Sequence, residues 1–131
     1  MSIIDQYVKE VEKDLVIDEF NIKEASMKAP GKKHFWVSKL INHKRILMAY
    51  KSEKNDLKKD IIKEVMAQAP IKLTFPVAER TAEQHEKIKE VQSKIEEQEL
   101  IVEFLEKVEK TFSSLSFDIK NIVEIMKMES L

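Results

Sequence analysis

The chain has 131 residues, enough for one domain with a modest core, and its 23 Lys/Arg and 24 Asp/Glu leave a net charge of −1. Its 43% hydrophobic content excludes wholesale disorder, and its apolar runs fall short of the about 20 residues a membrane span needs. One Gly, three Pro and no Cys exclude a turn-rich β-fold, disulfides and a thiolate zinc site. Few long helices, in an intracellular protein of the all-α class, are what this composition predicts.

In chain order, Ser2 and Asp5 form a capping box opening a first helix, in which Ile4, Val8, Val11 and Leu15 recur at helical spacing. Asp18 caps a shorter second helix through about Lys28. Pro30 and Gly31 are expected to end this small N-terminal helical unit of residues 1–30. Nothing interrupts a long basic helix over 32–69, which would span roughly 55 Å. Its seam is Trp36, Leu40, His43, Leu47, Tyr50, Lys54, Leu57 and Ile61, polar at His43 and Lys54.

Pro70 and Pro76 bracket a connection over 70–76, where the alternation Ile71, Leu73, Phe75 admits one short extended segment near 71–75. An acidic helix over 77–112 follows, starting at Val77 or at a second capping box of Thr81 and Gln84. Ile88, Val91, Ile95, Gln98, Val102, Leu105, Val108 and Phe112 form its seam, and Leu115, Ile119, Ile122 and Met126 keep the phase. Serines 113, 114 and 116 predict a kink or short break before a C-terminal helix over 114–129. The expected fold is a single all-α domain: an N-terminal helical unit, a long antiparallel helical hairpin and a C-terminal oligomerisation helix.

The net charge conceals an uneven distribution. Residues 23–63 carry 12 Lys/Arg against 4 Asp/Glu, residues 1–22 carry 2 against 6, and residues 64–131 carry 9 against 14. A basic middle can hold a polyanion because electrostatic attraction is local, cut off beyond about 8–10 Å. The cations that would contact phosphates are Lys32, Lys33, Lys39, Lys44, Arg45, Lys51, Lys54, Lys58, Lys59 and Lys63, with Phe35, Trp36 and Tyr50 interleaved as single-strand binders require. Lys44, Lys51 and Lys58 lie seven apart and share a helix face. A second reading stands beside this one. In it the lysines simply keep an outer helix face wet, or pair with the acidic arm of the hairpin, and Trp36 on the seam has core packing as its plainer role.

Catalytic signatures are missing. One Gly cannot build a phosphate-cradling loop or a dinucleotide fingerprint. His34, His43 and His85 have no His or Glu at metal-binding helical spacing, and no strained turn presents a serine nucleophile. Glu83–Lys87, Glu90–Lys94, Glu103–Lys107 and Glu106–Lys110 read as stabilising i,i+4 pairs on a solvated face. No enzymatic activity, metal or cofactor is expected.

In the last segment Leu115, Phe117, Ile119, Ile122, Val123, Ile125 and Met126 point in more directions than one partner helix covers, which predicts homo-oligomerisation.

Several runs carry a family resemblance: Asp14-Leu15-Val16-Ile17-Asp18, Ile22-Lys23-Glu24-Ala25, Pro30, His34 through Ile41, and Phe117 through Ile122. In these positions and in length the chain resembles the UvsY-type recombination mediators of tailed bacteriophages. The resemblance implies a small helical protein of the host-cell cytoplasm, assembling through its C-terminal region into a ring of about six to eight subunits. It implies three partners: single-stranded DNA, the phage recombinase, and the phage single-strand-binding protein, from whose coated strands the mediator helps load the recombinase. The family's short basic motif matches Leu57-Lys58-Lys59-Asp60-Ile61, carrying Lys58 over, while Asp60 stands at the second basic place and Lys59 is its candidate substitute. The alternatives are a helical scaffold that binds proteins only and, more weakly, a peripheral membrane protein with its basic helix on anionic lipid.

Overall fold

The computed structural model describes residues 2–131 as four helices with no strand among them: α1 (Ile3–Asp14), α2 (Ile22–Gln68), α3 (Phe75–Glu83) and α4 (Glu86–Glu129). The helices distribute into two compact units. One comprises residues up to Asn42 together with Ile101–Leu131, and the other His43–Leu100.

In the first unit, the Ser2 hydroxyl accepts a hydrogen bond from the Asp5 backbone N–H at 3.2 Å and caps α1. The turn into α2 is closed reciprocally: the Asp18 carboxylate accepts from the backbone N–H groups of Phe20 and Asn21, while the Asn21 amide oxygen accepts from the Asp18 N–H. Val11, Trp36, Leu40, Leu105, Val108, Phe112, Leu115 and Ile119 form the buried interior. Fully buried Trp36 is its largest member, donating from Nε1 to the Asp14 carboxylate at 2.9 Å and meeting the edges of Tyr7 and Phe35. That set fastens α1 to α2.

Two expected breaks are absent. Pro30 and Gly31 lie inside α2, and Gly31 keeps a helical, negative φ. Proline in a helix interior removes one backbone bond and crowds the carbonyl four residues back, at about 3 kcal/mol. The surrounding helix is held by packing: Ser26, Ala29, Pro30 and Lys33 line one side of a groove whose other side is Phe112, Ser113, Ser116 and Ile119 of α4. The pairing of early α2 residues with late α4 residues makes the two segments antiparallel. The serines of α4 do not break it either, since the side chains of Thr111 and Ser114 donate to the carbonyls of Lys107 and Thr111 while Leu115 and Ile119 stay buried.

The second unit packs α2, α3 and α4 around Ile61, Ile62, Ala78, Ala82 and Ile88, with Leu57 and Val65 against them. Ala78 and Ala82 are fully buried, and their small side chains let α3 sit closely on α2. The segment expected to be extended is not a strand: residues 72–74 are irregular, and extended Thr74 leads into α3, with Pro76 in its first turn. A capping box at Thr81 and Gln84 does not form, because the Thr81 hydroxyl donates to the Val77 carbonyl. The chain turns at Gln84–His85 instead, and His85 Nδ1 accepts from the Lys87 backbone N–H to cap α4. The boundaries therefore differ from 32–69, 77–112 and 114–129: before the connection one helix replaces two, and after it the expected 77–112 helix divides at Gln84–His85, its remainder running without a break through the expected C-terminal helix.

Both seams match the sequence pattern. Trp36, Leu40, His43 and Ile61 are buried on α2, and every α4 seam residue from Ile88 to Ile119 is buried.

Candidate nucleic-acid interface

The predicted cations do not form one uniform surface, because the fold engages many of them. In the first unit, Lys32 lies 3.5 Å from the Asp14 carboxylate, and Lys33 is half-buried in the groove beside Phe112. Lys39 sits over the rings of Phe35 and Tyr7, at 5.2 and 5.8 Å from their centroids. Trp36 is wholly inside, so it offers no stacking face, whereas Phe35 remains 45% exposed.

In the second unit, Lys51 reaches Glu99 at 3.9 Å and Lys54 donates to the Gln92 amide oxygen at 2.7 Å. Tyr50 is capped by Lys94 at 5.7 Å. Lys58 is the most engaged: its ammonium contacts Glu79 at 3.0 Å and Glu83 at 3.1 Å, with 22% of its side chain exposed. These two carboxylates, Glu79 first, hold the Lys58 pKa above its ordinary value.

Lys44 is exposed. Arg45, Lys59 and Lys63 are exposed and form no ion pair among the described residues.

At 100° per residue, Lys44, Arg45, Met48, Ser52, Asn55, Lys59 and Lys63 fall in one row along α2. The acids of the same stretch, Glu53, Asp56, Asp60 and Glu64, fall in the adjoining exposed row, with Asp56 and Asp60 three residues before Lys59 and Lys63 on the shared border. The basic row itself contains no carboxylate. Asp60 therefore does not sit within the basic stripe despite adjoining Lys59 in sequence. Linear spacing concealed this division into two rows; projecting the residues around α2 reveals it.

The apolar C-terminal set divides. Leu115 and Ile119 are interior, and Ile122, Val123 and Met126 are half-buried, while Phe117 and Ile125 are 70% and 55% exposed. Met128, also exposed, extends their face of α4. A groove of about 550 Å³ between α1 and α2 is lined by Glu10, Asp14, Lys13, Lys28, Met27 and Phe35, with both charge signs represented. Among the described residues no His, Cys, Asp or Glu group is arranged to hold a metal ion, and no helix is long and apolar enough to cross a membrane.

The fold is that of an all-α protein. The sequence model of a family described as the recombination, repair and ssDNA binding protein UvsY matches residues 10–130, and the chain belongs to that family. No curated protein and no solved structure matches.

Proposed function

We propose that the basic side of α2 in the second unit is the surface that holds single-stranded DNA, and that the protein acts there as a recombination mediator. The carrying observation is the segregation of Arg45, Lys59 and Lys63, exposed and unpaired, from the acidic row Glu53, Asp56, Asp60 and Glu64. A strand laid along that side meets a row of cations with the carboxylates confined to one flank, and Met48 offers an apolar contact for bases. Phosphate contacts release counterions, so affinity falls steeply as salt rises. Lys51 flanks this side next to Lys44, while Lys54 lies on the seam against Gln92; Lys32, Lys33, Lys39 and Phe35 form a second basic cluster in the first unit.

The mediator role extends the family's binding activity. The exposed α4 face of Phe117, Ile125 and Met128 carries self-assembly into a ring. Repeating α2 around the ring axis multiplies a modest charge into a continuous track, which weakens the hold of the phage single-strand-binding protein and favours loading of the phage recombinase. The host-cell cytoplasm is where this would take place. Native mass measured with and without a short oligonucleotide, at low and moderate salt, tests both parts. The expected result is an oligomer at both salts that gains oligonucleotide mass at low salt. A monomer, or binding indifferent to salt, contradicts it. The triple variant Phe117→Ser, Ile125→Ser, Met128→Ser is expected to shift the mass towards monomer with helicity retained.

A further inference from the structure

Lys58 continues the seven-residue row of Lys44 and Lys51 along the edge of α2, next to Lys59 and Lys63, yet it is the most tightly engaged cation of the second unit. Its two partners are four residues apart on α3, about 6 Å along the axis. The backbone that presents them is fixed by Ala78 and Ala82, seated against Ile61 and Ile62. The side chains themselves reach solvent, with Glu79 39% and Glu83 54% exposed. They form a preorganised pair of anionic groups on the one lysine that borders the stripe and is closed to a passing phosphate.

We infer that Glu79 and Glu83 are internal competitors of the DNA backbone for Lys58, and that they set the affinity and salt dependence of strand binding. The inference rests on α2 being the DNA-facing helix. A strand on the stripe recruits Lys58 only when the lysine exchanges its carboxylates for phosphate oxygens. Both states are charge-assisted, so the exchange is close to balanced. Glu83, the more exposed, is released first. The device keeps one cation out of weak, unspecific contacts and makes it available to a strand already held by Arg45, Lys59 and Lys63.

The test is fluorescence anisotropy of a labelled oligothymidylate across a salt series, with the full chain. In the Glu79→Gln/Glu83→Gln variant, affinity at low salt is expected to rise by about three- to tenfold. Its log–log salt slope should steepen by about 0.7, the increment for one further phosphate on a single strand. The charge-matched variant Glu90→Gln/Glu97→Gln, on exposed α4 positions outside these contacts, corrects for general charge. Neither the gain nor the steeper slope is expected beyond that correction when Lys58→Ala is already present. If the double variant loses helicity, Glu83→Gln alone carries the test, with a smaller gain in the same direction. A gain equal to the charge-matched control, or one that survives Lys58→Ala, overturns the competition while leaving strand binding by α2 intact. Absence of binding by the unmodified protein at low salt overturns both.

Discussion

His43 on α2 and Gln98 on α4 meet inside the second unit, the imidazole Nδ1 2.9 Å from the amide oxygen, with both residues buried. The amide oxygen can only accept, so Nδ1 carries the proton in this pair. Each residue occupies the polar position of its own seam, and the bond favours the register in which the two positions face each other. A one-sided substitution leaves a buried polar group without this partner. His43→Leu or Gln98→Leu alone is expected to cost about 1–3 kcal/mol in urea unfolding followed by circular dichroism. The double leucine variant should recover most of that loss, because two apolar groups suit the surrounding seam.

Gly31 lies mid-helix at negative φ, and a Cβ built there meets nothing within 4 Å. It therefore costs helix entropy without providing a turn or a close approach within the chain. Gly31→Ala is expected to stabilise the protein by about 0.5–1 kcal/mol, read as a higher thermal midpoint. A lowered midpoint would mean that the surface over Gly31 is covered in the folded protein.

Alkaline pH should weaken the fold. Hydrogen bonds to Glu79 and Glu83 raise the Lys58 pKa above its ordinary 10.5, and burial, then the nearby Glu10 charge, raises that of Tyr7 above 10.0. For a group whose folded pKa lies above its unfolded one, stability is fully present below the unfolded value and lost as pH rises through the folded value. The thermal midpoint is expected to stay level through neutral pH and to fall above about pH 10. Lys58→Met should remove the part of that fall due to the lysine, a modest part because its contacts are partly exposed.

Periodicity made the architecture legible: the residues from Trp36 to Ile61 and from Ile88 to Ile119 named the packed faces before any coordinates. Periodicity of this kind records burial, and burial dominates helix packing. The breaks were misread because Pro30, Gly31 and the serines of 113–116 report local preference, which tertiary packing outweighed. The α4 start was hidden for a different reason: His85 caps through its ring nitrogen, a role no common N-cap residue signals. At the site, composition gave the basic segment, but which lysines face solvent depended on partners distant in sequence. Lys58 meets residues 21 and 25 positions away, and Lys54 one 38 positions away.

The central claim is that the basic side of α2 holds the strand. Its most direct test is oligonucleotide anisotropy across a salt series for the unmodified protein and for Arg45→Ala/Lys59→Ala/Lys63→Ala, which leaves the packed seams and the observed ion pairs intact. The expected result is weaker binding at low salt, with the log–log slope shallower by about 2 when three phosphate contacts are lost, at unchanged helicity. An affinity and slope equal to those of the unmodified protein would contradict the claim and move the strand to another surface.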